Sequence, residues 1–481
     1  MSARFEPVIG LEIHVQLKTR TKMFCGCELS FGAPPNTHTC PVCLGLPGAL
    51  PVANARAVHF ALKIGLALGC EIAPRSLFHR KNYFYPDLPK GYQISQYDVP
   101  LCRGGRLGDV RIHRVHLEED AAKLVHVSSS GRIHGSERTV VDFNRGGTPL
   151  VEIVTEPDIR SPEHAREWLT LLRATLKALG VSDVDMSQGS LRCDANVSVR
   201  PVGAGELGVK TELKNMNSFR FLQDGLRAEI ERQVGLLEAG LAVEQETIHF
   251  DPASRRLSTL RSKEEAHDYR YFPEPDLVPL LVDERMIEAA RRELPELPAE
   301  RAQRFQAELG LSAERARELA FRPERGDFFE AALASSDGRG APPSSLANWI
   351  SLLIERIGAD GDPAESKVTP GALARLVAMV EAGEVSRDAG RTVLAELVRN
   401  GGDPVEIVAR EGLGRVSADD EGLAEIIAAA IASDPDAAAK VREGSTKAIG
   451  PLVGYVMRET KGRLDGGEAR RLILERLQAR D

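Results

Sequence analysis

The sequence predicts an α+β protein: a β-rich half running to about Arg285, then an all-helical half beginning after about Pro295. Two observations predict this. Up to Arg285, apolar and polar residues alternate in short runs separated by Gly, Pro and Asn turns, the period of two of half-buried strands. Beyond Pro295 the chain turns to Ala, Leu, Glu and Arg at helical spacing and nearly loses its aromatics. A further break at Asn400-Gly-Gly-Asp-Pro404 sets off a last module.

At 481 residues the chain exceeds one core and suits about three domains. Hydrophobic content of 42% beside 27% charged residues is that of a globular chain, and a net charge of -8 leaves any nucleic-acid contact to local basic patches. The start, Met1-Ser-Ala-Arg-Phe-Glu6, has no apolar signal core, and no uncharged apolar window of about 18 residues is present to span a membrane. The expected location is cytoplasmic.

Pro7 to Lys18 opens the β-rich half. Ile9, Leu11, Ile13, Val15 and Leu17 alternate with Gly10, Glu12, His14, Gln16 and Lys18, giving one apolar face and one polar face. Glu12 and His14 then project together, roughly 7 Å apart at about 3.3 Å per residue. That spacing suits a shared metal or phosphate; a sheet with a solvated outer face has the same pattern.

Four of the seven cysteines crowd into the next segment: Cys25-Gly-Cys27, twelve residues, then Cys40-Pro-Val-Cys43. Two close thiolate pairs across a loop can close a tetrahedral four-sulfur site, and with no position left for water the predicted zinc has a folding role. Four reduced, packed thiols are the alternative. Cys70, Cys102 and Cys193 stand alone and read as packing residues.

Arg80-Lys-Asn-Tyr-Phe-Tyr-Pro-Asp-Leu-Pro-Lys-Gly-Tyr-Gln-Ile-Ser-Gln96 follows, too rich in Pro and Gly for a regular helix. As an irregular loop it offers Lys81 to a phosphate and Tyr83, Tyr85 and Tyr92 to a base or ribose, or else packs on its own aromatics. Next come Arg114-Val-His-Leu-Glu-Glu-Asp120 and Asn144-Arg-Gly-Gly-Thr-Pro-Leu-Val-Glu-Ile-Val-Thr-Glu-Pro157. Carboxylates on strands bordered by Ile, Val and Leu are costly to bury without a cation, so Glu12, Glu119 and Glu152 together suggest a magnesium site.

Two helices interrupt this half. Ser161 caps the first, Pro162 suits its opening turn, Ala165, Trp168, Leu172, Leu176 and Leu179 form its stripe, and Gly180 ends it. The second runs from about Phe219 to Gly240. Before it, Leu191 to Arg200 and Val209 to Phe219 read as a hairpin, with Gly203-Ala-Gly-Glu-Leu-Gly208 as its turn; joining strand to strand, this glycine pattern is not a dinucleotide-binding loop. Asp268-Tyr-Arg-Tyr-Phe-Pro-Glu-Pro-Asp276 closes the half, either clamping a ligand or pinning its own segment to the sheet.

No Gly-x4-Gly-Lys-Ser/Thr loop, Gly-x-Ser-x-Gly elbow or amidase serine and lysine signature is present, so any ATP must be held on a sheet face by metal and lysine.

These runs resemble one family closely, the B subunits of the bacterial-type glutamyl-tRNA(Gln)/aspartyl-tRNA(Asn) amidotransferase. The likeness rests on Val8-Ile-Gly-Leu-Glu-Ile-His-Val15, Arg80-Lys-Asn-Tyr-Phe-Tyr-Pro86, Tyr92-Gln-Ile-Ser-Gln96, Gly147-Thr-Pro-Leu150, Leu191-Arg-Cys-Asp-Ala-Asn196, Glu212-Leu-Lys-Asn215 and Asp268-Tyr-Arg-Tyr-Phe-Pro273, and extends to Lys447-Ala-Ile-Gly-Pro-Leu-Val-Gly-Tyr-Val-Met457. It implies an antiparallel-sheet cradle with packed helices and the zinc knob (residues 1–292), an all-α helical domain (293–403) and a small helical tail (404–481). It also implies ATP-driven phosphorylation of the side-chain carboxylate of misacylated Glu-tRNA(Gln) or Asp-tRNA(Asn). Ammonia released from glutamine by an A subunit then forms the amide, and a C subunit completes the assembly. Carried onto matching positions, the resemblance makes Glu12, His14, Glu119 and Glu152 magnesium ligands, direct or through water. From the residues themselves, Lys81 is the candidate for holding the transferred phosphate, so Glu12, His14 and Lys81 are the expected catalytic residues, and Lys81, Tyr83 and Tyr85 the expected nucleotide site.

From Lys440 to Asp481 ten Lys and Arg face six Asp and Glu, a local +4. A helix through Glu468 to Gln478 would offer Arg470, Arg471 and Arg476 to tRNA phosphates or simply to solvent. Two rivals stand beside the amidotransferase reading: a non-catalytic zinc-containing tRNA-binding subunit, and a stand-alone ligase or kinase acting on a small carboxylic acid.

Overall fold

The computed structural model describes residues 4–127, 136–214, 216–251, 254–262, 269–335, 340–358, 361–414, 421–443, 445–460, 463–464 and 466–478. The chain forms two compact units, Met1–Ala299 and Glu300–Asp481. The α+β class holds: the first unit carries the sheets and the second is helical throughout its described residues.

The first strand, Phe5–Gln16, is central in the large sheet. It pairs antiparallel with Leu191–Pro201 on one side and Pro149–Thr155 on the other. Past Pro149–Thr155 lies Val110–Glu119, then the short Cys102–Arg103 and Glu71–Ile72; past Leu191–Pro201 lie Thr211–Lys214, Glu246–Asp251 and Arg256–Ser262. The alternation of apolar residues explains the arrangement. Ile9, Leu11, Ile13 and Val15 are buried on one face, joined there by Val115, Leu117, Val151, Ile153, Cys193 and Ala195. Helices cover that face, while the opposite one keeps the polar residues.

One pairing is parallel, between Thr211–Lys214 and Glu246–Asp251, so the sheet is mixed where an antiparallel one was expected. The helix Phe219–Glu238 is the reason, because it carries the chain across and returns it in the same direction. The predicted hairpin forms, with Asn196 opposite Glu212. In its turn a Cβ at Gly208 would sit 2.3 Å from the Val199 carbonyl oxygen, an approach open only to glycine.

Ser161 caps Pro162–Ala178 by accepting from the His164 N–H at 3.0 Å, and Ser218 caps Phe219–Glu238 through the Phe221 N–H at 3.1 Å. A third helix, Ala55–Ala67, packs beside Val110–Glu119 and is capped by Asn54. Its apolar residues run nearly all round it, which hid its period. Arg80 to Gln96 is also more regular than expected. Its ends, His79–Asn82 and Tyr92–Ser95, pair as antiparallel strands and only the tip is irregular.

In the second unit one apolar cluster gathers Phe305, Phe329, Trp349, Leu373 and Leu394, and another gathers Leu423, Leu452, Ile473 and Leu477. The helix Pro404–Glu411, expected to start the tail, gives Ile407 and Val408 to the earlier cluster, because its apolar face is already spent there. Among the described residues no helix is long and apolar enough to cross a membrane.

Candidate functional site

Register assembles the site. On the polar face Arg192 stands opposite His14, His14 opposite Glu152, and Glu152 opposite His116, a row across four neighbouring strands. Glu118, two residues from His116, shares that face. His14 Nε2 lies 3.7 Å from Glu152 Oε2 and 3.8 Å from Glu118 Oε1, and ligand atoms of all three residues fall within 4.8 Å of one another. His116 Nε2 backs the pair, 3.2 Å from Glu152 Oε2 and 3.8 Å from Glu118 Oε2.

Charge decides how these groups ionise. Burial alone would lower His116, but the charges and hydrogen bonds of Glu152 and Glu118 outweigh it and raise the imidazole to about 9. Burial pushes Glu152 and Glu118 up, yet the two imidazoles reverse this and hold both carboxyls below their ordinary range. Glu12 behaves oppositely. Burial and then the charges of Glu152 and Glu212 raise it, against a hydrogen bond that its Oε1 accepts from Asn196 Nδ2 at 2.8 Å.

The His14–Glu118–Glu152 group opens into a cavity of about 320 Å³, lined also by Lys81, Tyr83, Asp120, Arg192, Asp194, Lys214 and Tyr269. Lys214 Nζ sits 3.1 Å from Glu212 Oε1 and 3.2 Å from Asp194 Oδ2. Arg192 Nη2 holds Asp120 Oδ1 at 2.9 Å. The cavity thus joins an acidic cluster able to take a divalent cation to cations able to take anionic oxygens, with aromatic faces at its rim.

Residues 7–288 match the GatB/GatE catalytic domain, and residues 327–477 match the GatB domain. The chain belongs to the GatB family.

Relatives of this GatB-family chain run nearly its full length. It is 51% identical to the B subunit of the aspartyl/glutamyl-tRNA(Asn/Gln) amidotransferase of Frankia casuarinae, covering 99% of this chain and 96% of that one. Identity is 51% to the corresponding B subunit of Anaeromyxobacter sp. (95% and 96% covered) and 48% to that of Brevibacillus brevis (99% and 100% covered).

The residues expected to form the site of a GatB-family protein are only partly brought together. His14 and Glu152 meet. Glu12 lies on the same face, two residues from His14, but outside their immediate group. Glu119 is turned away, and Glu118 occupies the place expected for it. Successive residues of a strand point to opposite faces, and Glu119 Oε1 accepts instead from Lys90 Nζ and from the Ile94 N–H at 3.0 Å. It lines a separate cavity of about 170 Å³ with Lys22, Cys25, Cys43, Lys90 and Gly147.

Lys81 and Tyr83 line the large cavity, with Lys81 Nζ 4.6 Å from the Tyr269 ring centre. Tyr85 is outside that lining, half-exposed and stacked on Tyr83 at 5.8 Å. The segment after Asp268 is pinned: Phe272–Pro273 pairs with His79–Arg80, and Tyr269 reaches the cavity. Asp268 itself and Asn215 lie outside the described residues.

The four sulfur atoms of Cys25, Cys27, Cys40 and Cys43 also fall within 4.8 Å of one another. A zinc tetrahedron with bonds of about 2.3 Å has sulfur separations of about 3.8 Å, so the set fits that ion. Hydrogen bonds from the Cys25 thiol and the Cys40 N–H, with help from Lys22, draw Cys43 down to about 4, the thiolate form that a metal requires.

Glu118, His116, Lys214 and Asp194 did not stand out in the sequence as site residues. Strand parity was the available signal, since each alternates with apolar residues of its own strand: His116 and Glu118 with Val115 and Leu117, Asp194 with Cys193 and Ala195, and Lys214 with Leu213.

Proposed function

We propose that this chain is the B subunit of a tRNA-dependent amidotransferase, which converts misacylated Glu-tRNA(Gln) or Asp-tRNA(Asn) to Gln-tRNA(Gln) or Asn-tRNA(Asn) using ATP and glutamine. The observation that carries this is membership of the GatB family along nearly the whole chain. A match to a catalytic domain over residues 7–288 sets aside the non-catalytic RNA-binding alternative.

In the reaction a side-chain carboxylate oxygen of the esterified amino acid attacks the γ-phosphorus of ATP and ADP departs. Ammonia then attacks the activated carbonyl carbon and phosphate departs, leaving the amide. The first step joins two anions, so offsetting charge and aligning the attack are the main help a protein can give. His14, Glu118 and Glu152 would hold magnesium, with Glu12 beside them; two carboxylates and an imidazole leave positions for water or phosphate oxygens. That ion supplies charge neutralisation at the transferred phosphoryl group. Lys81 and Lys214 face the same cavity and offer ammonium groups to anionic oxygens. Tyr83 and Tyr269 offer rings to a base or ribose.

The cysteine knob holds structural zinc in this reading. Residues 1–292 act as the cradle, the first helical cluster as a connecting domain, and the tail beginning near Leu423 as a tRNA contact. Glutaminase and accessory subunits, the A and C subunits of such an enzyme, supply ammonia and complete the complex, working in the cytoplasm beside translation.

The test is Glu152→Gln in the assembled enzyme. Amidation of misacylated tRNA should fall at least 100-fold while glutamine hydrolysis by the partner persists, because one carboxylate of the proposed cation site is lost. Undiminished amidation would overturn the assignment.

A further inference from the structure

Lys22 is 1% exposed, among the most deeply buried large side chains of the described residues. An ammonium removed from water to that extent needs an anion, yet no carboxylate among the described residues lies within ion-pair distance of it. Its Nζ instead donates to the Phe143 carbonyl at 3.0 Å and stands 3.7 Å from Cys43 Sγ. The contrast with Lys90, which lines the same small cavity and has Glu119 as its partner, is direct.

The backbone is built to allow this approach. Gly147 has φ of +87°, and a Cβ there would lie 3.3 Å from Lys22 Cδ and 3.8 Å from Cys43 Cβ. The Met23 N–H donates to the Gly147 carbonyl at 2.7 Å, and the Lys22 N–H donates to the Cys27 carbonyl at 3.0 Å. Lys22 is thereby fixed at both ends, to the first cysteine pair through its backbone and to the second through its side chain.

We propose that Lys22 is the built-in counter-charge of a tetrathiolate zinc centre, and that through Phe143 it fastens this centre to the loop preceding the strand that carries Glu152. The inference rests on the reading that the four cysteines hold zinc. Four thiolates around one divalent ion carry a net charge of two negative units, and a buried ammonium beside one sulfur offsets part of it. Groups of this kind, one step outside the ligands, commonly change metal affinity by about 10- to 100-fold when removed.

The experiment compares wild-type full-length protein with Lys22→Met and with Lys18→Met, a lysine about two-thirds exposed on the outer surface. Zinc content is measured first, then zinc transfer to a chromogenic chelator and the thiolate-to-metal absorption of the cobalt(II)-loaded protein. The expected result is one zinc per wild-type chain, transfer from Lys22→Met eased by about 10- to 100-fold with a displaced cobalt absorption, and no change in Lys18→Met. Should Lys22→Met fail to fold, Lys22→Gln carries the same comparison, since it keeps a donor for Phe143 but no charge. Wild-type protein without zinc overturns the zinc reading and this proposal with it; wild-type protein with zinc and an unaltered Lys22 variant overturns the proposal alone.

Discussion

Arg80 grips Glu274 with both arms of its guanidinium, Nε to Oε2 at 2.7 Å and Nη2 to Oε1 at 2.9 Å, and the Glu274 side chain is wholly buried. The same guanidinium lies 4.2 Å from the Tyr92 ring centre. One residue thus joins the hairpin bearing Lys81 to the segment bearing Tyr269. Arg80→Met should destabilise the first unit by about 3 kcal/mol, since it leaves a buried carboxylate uncompensated. Urea unfolding checks this, and an unchanged midpoint refutes it.

Glu118→Gln and Glu119→Gln should separate two roles that adjacency in sequence conceals. In the assembled enzyme, Glu118→Gln should raise the magnesium concentration needed for half-maximal amidation by about tenfold or more. Glu119→Gln should leave that concentration alone and lower the melting temperature, because Lys90 loses its partner. Magnesium titrations of both variants decide it, and equal behaviour would contradict the placement.

Asp158 accepts from Arg111 through both carboxylate oxygens, at 2.9 and 2.7 Å, and from the Arg111 N–H at 3.0 Å. The Arg111 side chain is the main cause that holds the carboxyl at about 2. A depressed acid stabilises the fold above its ordinary value near 3.9, and that contribution disappears as pH falls through the folded value. Asp158→Asn should therefore melt earlier than wild type at neutral pH, with the gap closing as pH falls below about 4. A gap that widens on acidification would contradict this.

Behind the Thr211–Lys214 strand, Glu229 is fully buried and accepts from Thr211 Oγ1 at 2.8 Å, Arg232 Nε at 2.7 Å and Gln233 Nε2 at 2.9 Å. Glu229→Ala removes the acceptor that all three donors share, leaving Thr211 and Gln233 with only the Val197 carbonyl and each other, and should cost about 3 kcal/mol. Hydrogen exchange should report it first in the strand that presents Lys214 to the cavity; uniform protection there would count against it.

In the last helix, Gly466–Gln478, Arg471 is engaged by Glu468 and Glu475, while Arg470 and Arg476 are exposed. Replacing Arg470 and Arg476 together by Gln should weaken tRNA binding and flatten the plot of log affinity against log salt by about 0.9 for each phosphate no longer neutralised. The same change at Arg471 should do less, since its charge is already shared. Filter binding across a salt series measures both.

Much of this was legible in the sequence. Alternation placed Glu12 and His14 on one face, Ser161 and Gly180 marked their helix, and the paired cysteines announced the knob. The hidden parts have physical reasons. Leu117-Glu-Glu-Asp120 sets three acids in a row at a strand end, where alternation stops and only the parity of Val115 and Leu117 separates Glu118 from Glu119. The Ala55–Ala67 helix is apolar nearly all round, so it shows no stripe. The parallel pairing of Glu246–Asp251 depends on contacts far apart in the chain, which local pattern does not carry.

Since Glu118 and Glu119 lead into different chambers, the Val110–Glu119 strand cannot absorb the loss of a single residue. Such a deletion before His116 would slide Leu117 into the imidazole's place and hand the chamber of Lys90 to Asp120, whereas removal of two would restore the facing of every side chain. Chimaeras between relatives should therefore exchange this strand only as an intact block, and differences in length should be confined to the loops at its ends.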